Sequence, residues 1–296
     1  MDQAKKSIHC NNIYDFGTTG RGIGVAVVDT GLFPHRDFEG RITAFADMVR
    51  RRPEPYDDNG HGTHISGIIG GSGLASDSRY RGIAPECSLI SVKVLDHRGN
   101  GYASDVLAGL RWVRENRKRF NIRIVNISVG SCSKRGMGEN SALVKGVNAV
   151  WDDGIVVVVA AGNNGPDRMT ITTPGISRKV ITVGCSDDYK EVNVMGNRMV
   201  DYSGRGPTSS CILKPDLVAP GAGIVSCGNM RDKYVVKSGT SMSTPLVSGA
   251  IALLLEKYPE MSNRDVKLRL RERCVDMGLP RNQQGWGLLD IEKLLE

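Results

Sequence analysis

Three short segments of this 296-residue chain each carry a group that acyl transfer requires. In Val27-Val28-Asp29-Thr30-Gly31, Asp29 closes an apolar run, and a carboxylate there can orient an imidazole and balance its charge. In His61-Gly62-Thr63-His64, His61 opens an apparent helix over Gly60–Gly70 and offers a general base. Gly62 would let a substrate backbone approach, and His64, one helical turn on, is expected to pack inward beneath the site. In Ser238-Gly239-Thr240-Ser241-Met242-Ser243-Thr244-Pro245, Ser241 stands in a Gly-containing turn that opens an apolar helix. Its N–H then lies at the positive helix end, where an oxyanion is stabilised. A fourth segment, Ala160-Ala161-Gly162-Asn163-Asn164-Gly165, follows an apolar run and offers the Asn163 amide to the same oxyanion, with Asn164 read as a turn residue. Taken singly these residues have plain structural readings: a turn-capping aspartate, a core histidine, an N-cap serine. Their conjunction points to chemistry.

The segments need elements to bring them together. The runs Gly24–Asp29, Leu89–Leu95, Arg123–Ser128, Ile155–Ala160 and Val180–Val183 read as buried strands. Helical spacing covers Ser104–Asn116 and Ser141–Trp151 between them. Ser241–Tyr258 is apolar nearly all round, the pattern of a helix buried at the centre of a molecule. Ser262 followed by Asp265 marks the start of an Asp265–Arg273 helix. Strand–helix alternation predicts an α/β fold with a mostly parallel sheet and helices on both faces. Residues Gly20-Arg21-Gly22-Ile23-Gly24 do not make a dinucleotide loop, because they precede a strand instead of linking a strand to a helix.

In the order Asp, His, Asn, Ser, the chain resembles the subtilisin-like serine proteases (subtilases) of the bacterial intracellular type, through VVDTG, NGHGTHISG, AAGNNG and GTSMSTP. The likeness runs from about Gly22 to the 285–296 tail, and the Asp…His…Ser order is that of subtilisin. It implies a three-layer fold on a seven-stranded sheet, with residues 1–21 as an N-terminal extension and 22–296 as the catalytic domain. It implies a serine endopeptidase that hydrolyses peptide bonds in proteins through an acyl-enzyme. Ser241 would be the nucleophile, His61 the base and Asp29 its partner. Asn163 and the Ser241 N–H would form the oxyanion hole, with the Thr240 hydroxyl as a further donor. An extended substrate strand would lie between Gly99-Asn100-Gly101 and Ser128-Val129-Gly130, with Ala160, Ala161 and Gly162 beside it. Ala103 would stand at the rim of the pocket for the fourth residue before the cut. Departures from the family pattern (Ser243, Ile65-Ser66 and Leu246) flank the triad and predict repacking, not inactivity. A prodomain or inhibitor is a further partner of the kind the family takes.

No cofactor is required for this chemistry, and calcium stays open. The loop Gly70–Arg81 lacks the Asn-rich pattern of the family's tight site, and Asp57-Asp58-Asn59 reads first as a solvated loop and second as a weaker calcium site. The net charge of +7 is spread along the chain apart from Arg50-Arg51-Arg52 and the run Arg111–Arg119. With no nucleic-acid motif beside them these read as solvated faces. Seven cysteines with no CxxC pair argue against a disulfide framework or a structural zinc. Cys87 and Cys185 are expected to be buried, and Cys10 and Cys132 exposed. Reduced thiols and a first twenty residues without a signal-peptide apolar stretch lean towards the cytoplasm, or towards secretion if the N-terminus has been truncated. No segment has the length of a membrane span. Three other readings compete: an inactive subtilase used for binding or regulation, a transpeptidase, and a nucleotide-binding α/β protein. The intact triad, the lack of a long lid insertion and the lack of a phosphate loop, respectively, speak against them.

Overall fold

The β-branched runs assemble into one sheet because each is apolar on both faces, the signature of parallel strands covered by helices. A computed structural model describes residues 1–10, 14, 17–130, 138, 140–194 and 196–296. In chain order it contains α1 (Asp2–Ser7), β1 (Gly24–Asp29), β2 (Ile42–Asp47), α2 (His61–Gly70), β3 (Ser88–Lys93), α3 (Ala103–Asn116), β4 (Ile122–Ile127), α4 (Ala142–Asp152), β5 (Val156–Ala160) and β6 (Ile181–Cys185). The hairpin β7 (Val192–Val194) and β8 (Asn197–Met199) follows, then β9 (Leu217–Ala219) and a second hairpin, β10 (Ile224–Cys227) with β11 (Tyr234–Lys237). The chain ends with α5 (Thr240–Lys257), α6 (Asn263–Arg273), α7 (Arg281–Gln284) and α8 (Ile291–Leu295).

Seven strands form the main sheet in the order β2-β3-β1-β4-β5-β6-β9, every neighbouring pair parallel. Helices α2 and α5 pack together against it, and α3 and α4 form a second packed pair. The expected α/β architecture is the one observed. Two strands of this sheet, and both hairpins, escaped the sequence reading. β2 is an edge strand with only its last two residues buried, and β9 has three residues. Neither leaves the long apolar run that marks the others.

Helix α5 crosses the centre of the molecule, buried from Thr240 to Leu255 except at half-exposed Ser241. It can lie so deep because small residues admit its neighbours: a Cβ on Gly249 would stand 2.6 Å from that of Ile83. No described helix is long and apolar enough to cross a membrane. Helix α6 starts at the reciprocal Ser262–Asp265 capping box that the sequence indicated.

Residues 1–10 are not an appendage. Ile8 and Cys10 are fully buried in the same core, and the Ile291 N–H donates to the Ile8 carbonyl at 2.9 Å. The expectation that Cys10 is exposed is therefore wrong. Its polar neighbour His9 faces out to Asp290 while Cys10 faces in. Cys87 and Cys185 are buried as expected, and Cys211 is the exposed free thiol among the described residues. Cys132 lies outside the described residues.

Candidate active site

The site lies where one strand end and two helix starts converge. Strand β1 ends in Asp29, α2 begins with His61, and Ser241 occupies the first turn of α5. His61 Nδ1 meets Asp29 Oδ1 at 2.7 Å, with the aspartate side chain 1% exposed and the histidine 22%. The same Asp29 oxygen accepts the Thr30 N–H at 2.7 Å. A buried carboxylate on Nδ1 leaves Nε2 as the nitrogen that exchanges protons with substrate. Ser241 Oγ donates to the Ser128 carbonyl at 2.7 Å, and Ser128 Oγ donates to the Ser241 carbonyl at 3.1 Å. In this resting arrangement the nucleophile is tied to the expected substrate edge 128–130.

Asn163 follows β5, and its Oδ1 accepts both the Thr240 N–H and the Thr240 hydroxyl at 3.0 Å. The Thr240 hydroxyl in turn accepts the Gly162 N–H at 3.1 Å. This corrects one expectation: Thr240 spends its proton on Asn163 and does not present it to an oxyanion. Its work is to hold the amide so that Nδ2 is the free end. Gly239 adopts φ +136°, and a Cβ there would stand 3.1 Å from that Nδ2, so only glycine keeps the amide's position. Gly62 also differs from its expected use. Its missing side chain leaves room for the Gly31 carbonyl of the chain itself, not for a substrate.

Hydrogen bonds link the expected edge segments to these groups. Gly99-Asn100-Gly101 sits in a turn closed by the Asp96 N–H on the Asn100 carbonyl, with Ala103 exposed at the start of α3. Asn59 ties this edge to the histidine, its Oδ1 accepting the His61 N–H at 3.1 Å and its Nδ2 donating to the His97 carbonyl at 3.0 Å. Ser128 is buried, Val129 half-buried and Gly130 exposed; Ala160 and Ala161 are buried and Gly162 half-buried. One residue the sequence reading missed lies between the last two segments. Thr172 donates to the Ala161 carbonyl, and its side chain occupies the space a Cβ would need at both Gly130 and Gly162. Its only sequence signal is a short polar run before Pro174.

His64 packs inward as expected, fully buried, with Nε2 on the Ile224 and Val235 carbonyls at 3.1 and 3.2 Å. Burial, helped by the positive charge of Lys237 and by His61, pulls its pKa down to about 3. An unfolded histidine titrates near 6.5, so between about pH 3 and 6.5 the unfolded chain holds the extra proton. Stability then rises with pH across that window, by up to about 1.4 kcal/mol per pH unit from this group. Thermal unfolding of a Ser241→Ala protein from pH 4 to 7 should show that slope, and His64→Gln should flatten it. An unchanged slope in the variant would place the acid sensitivity elsewhere.

In the acidic segment before the histidine, Asp57 is buried, Asp58 exposed and Asn59 half-buried. Asp57 is 5% exposed, and both of its oxygens are filled by N–H and O–H donors from Thr30, Asn59, Gly60 and Thr63. Asp58 pairs at 2.7 Å with Lys93, a fully buried lysine whose ammonium also donates to the Leu95 carbonyl at 2.9 Å. Around Gly70–Arg81, Asp37 Oδ1 accepts the Ala75 N–H at 2.9 Å and the Arg81 guanidinium donates to Ser78 Oγ at 2.8 Å. These hydrogen bonds help to close that loop.

A buried aspartate on a histidine, a serine at a helix start and a positioned amide define the acyl-transfer hydrolases that work through Asp, His and Ser. The chain belongs to the subtilase family, peptidase S8, which it matches over residues 20–287. It is 42% identical to the serine protease AprX of Bacillus subtilis (strain 168) over 92% of its own length, spanning 66% of that protein. It is 34% identical to subtilisin Savinase of Lederbergia lenta, over 93% of this chain and 91% of that one. Among solved structures it is similar to sphericase, with a TM-score of 0.77, 30% identity and 92% of each chain covered. A cold-adapted subtilisin-like serine proteinase aligns with a TM-score of 0.74 at 29% identity, over 92% of this chain and 89% of that one.

Proposed function

We propose that this chain is a serine endopeptidase that hydrolyses peptide bonds in proteins through an acyl-enzyme. The observation that carries this reading is the 2.7 Å Asp29–His61 bond beside a serine and an amide held for oxyanion binding. A substrate strand lies along Gly99–Gly101 and Ser128–Gly130, where its own N–H replaces the Ser241 hydroxyl on the Ser128 carbonyl. The released Oγ attacks the scissile carbonyl while His61 Nε2 takes its proton. The carbonyl oxygen becomes an oxyanion against Asn163 Nδ2 and the Ser241 N–H. His61 then gives its proton to the leaving amine, and water repeats the sequence on the acyl-enzyme. Subtilisin Savinase and AprX, by name proteases, support the same reading for this chain.

The test is cleavage of a proteome-derived peptide library by the purified chain, alongside labelling of Ser241 by a fluorophosphonate. Cleaved peptides and a label that His61→Ala abolishes are expected. No cleavage and no label would overturn the proposal, and a label without cleavage would favour acyl transfer to another acceptor. The same library reads specificity. Thr172 narrows the slot between Gly130 and Gly162, so small side chains are expected just before the cut. Thr172→Gly should extend cleavage to large apolar residues there, whose burial is worth about 1.5–3 kcal/mol. An unchanged profile would mean that the slot does not hold that side chain.

A further inference from the structure

Asp57 is a buried carboxylate that the reaction itself does not use. Its Oδ1 accepts from Thr30 Oγ1 at 2.9 Å, Asn59 N at 3.1 Å and Gly60 N at 2.8 Å. Its Oδ2 accepts from Thr63 N at 2.9 Å and Thr63 Oγ1 at 2.6 Å. Thr30 directly follows Asp29, and its Oγ1 also accepts the Gly62 N–H at 2.9 Å. One carboxylate and one hydroxyl therefore bind the strand end that carries Asp29 and the helix turn that carries His61.

The helix start needs such partners. The N-cap of α2 is Gly60, which has no side chain with which to satisfy the free N–H groups of the first turn. The Gly62 N–H goes to Thr30, the Thr63 N–H to Asp57 and the His61 N–H to Asn59. Two further bonds, the Gly62 N–H on Thr30 Oγ1 and the Phe33 N–H on Thr63 Oγ1, both at 2.9 Å, join this turn to the chain leaving β1, and Asp57 braces the Thr30 and Thr63 hydroxyls that accept them.

We propose that Asp57 is a positioning residue for catalysis, which fixes His61 against Asp29 by clamping the first turn of α2 to the end of β1 through Thr30. The inference rests on the serine-protease reading. Burial raises the pKa of Asp57, but hydrogen bonds from Thr63, Gly60 and Asn59 outweigh it and hold the carboxyl below its ordinary value, so the clamp persists in mild acid.

A matched control exists in the same fold. Asp47 is also buried, and it accepts the Val49 and Arg50 N–H groups at 2.9 Å, Arg52 N at 3.1 Å and the Tyr56 hydroxyl at 2.8 Å. None of these partners belongs to a triad segment. Asp57→Asn turns one acceptor into a donor facing at least two donors, and Asp47→Asn does the same at a site of comparable structural weight.

Kinetics on a peptide amide, thermal unfolding and the far-downfield NMR resonance of the His61 Nδ1 proton test the proposal. Both variants are expected to lose similar thermal stability. Asp57→Asn should lower kcat about 10–100-fold with KM within about twofold, the scale of a small misplacement of reacting groups. It should also shift or broaden the imidazole resonance, while Asp47→Asn leaves kcat and the resonance unchanged. Thr30→Val removes only the hydroxyl link and should lower kcat about tenfold with the same spectral change; it decides the matter if Asp57→Asn does not fold. A folded Asp57→Asn with kcat within twofold of the parent, or an equal kcat loss in Asp47→Asn, overturns the proposal. So does a Thr30→Val protein with unchanged kcat and resonance. Because the resonance is read without turnover, a parent that fails to hydrolyse peptides would sink the protease reading while leaving the clamp measurable.

Discussion

Ser241→Ala, or His61→Ala, is expected to lower kcat by about 2 × 10⁶, the loss the same substitutions cause in subtilisin. That is roughly 8–9 kcal/mol of barrier. The magnitude follows from how the two groups act. Ser241 Oγ is useless as a nucleophile at neutral pH until a base takes its proton, and His61 is useful only if there is an Oγ to deprotonate. Removing either therefore removes the pair, and the double variant should be little worse than each single one. Asp29→Asn should cost less, about 10⁴, because it leaves nucleophile and base in place but favours the wrong imidazole tautomer on the 2.7 Å bond. Binding should survive, since the substrate edges 99–101 and 128–130 are untouched. Activity in a protease-free Ser241→Ala preparation within a hundredfold of the parent would remove Ser241 from the mechanism. A double variant whose loss is the product of the single ones would show that the two groups do not act as a unit.

How far the sequence could be read depended on whether a residue's partners were near it in the chain. Asp29, His61, Asn163 and Ser241 were legible because each marks the point where a strand ends or a helix begins, and the local pattern reports that point. The α5 helix was legible for a similar reason, being apolar on every side. Asp57 was misread because its charge is visible locally but its partners are not: Thr30 lies 27 residues away, across the sheet edge. Asp58 is exposed, as a solvated loop implies, but its pairing with Lys93 was not legible, since Lys93 reaches it only because β3 lies beside β1, with Lys93 opposite Asp29 in the register. The direction of the Thr240 hydroxyl depends on Asn163, 77 residues earlier, and no spacing rule carries it. The departures Ser243, Ile65, Ser66 and Leu246 are all buried.

Asn163→Ala is expected to lower kcat by about 10²–10³ with little change in KM, the cost of one oxyanion-hole donor in subtilisin. The split between kcat and KM is the informative part. Nδ2 meets a neutral carbonyl oxygen weakly in the bound substrate and a charged oxygen strongly in the transition state, so its loss falls on the chemical step. The amide contributes this much because it is already aimed: Thr240 holds Oδ1 with two hydrogen bonds at 3.0 Å, so no reorientation is needed as charge develops. The substituents can then be ranked. Asn163→Asp should be at least as damaging as Asn163→Ala, since it keeps an acceptor for Thr240 but turns a second oxygen towards the oxyanion. Thr240→Val should cost about tenfold, because it loses one of the two bonds that aim the amide yet leaves the donor present. Steady-state kinetics on one amide substrate give all three values. A rise in KM at constant kcat for Asn163→Ala would show that the amide binds ground-state substrate. Near-parental turnover by Asn163→Asp would show that Nδ2 does not face the reacting oxygen.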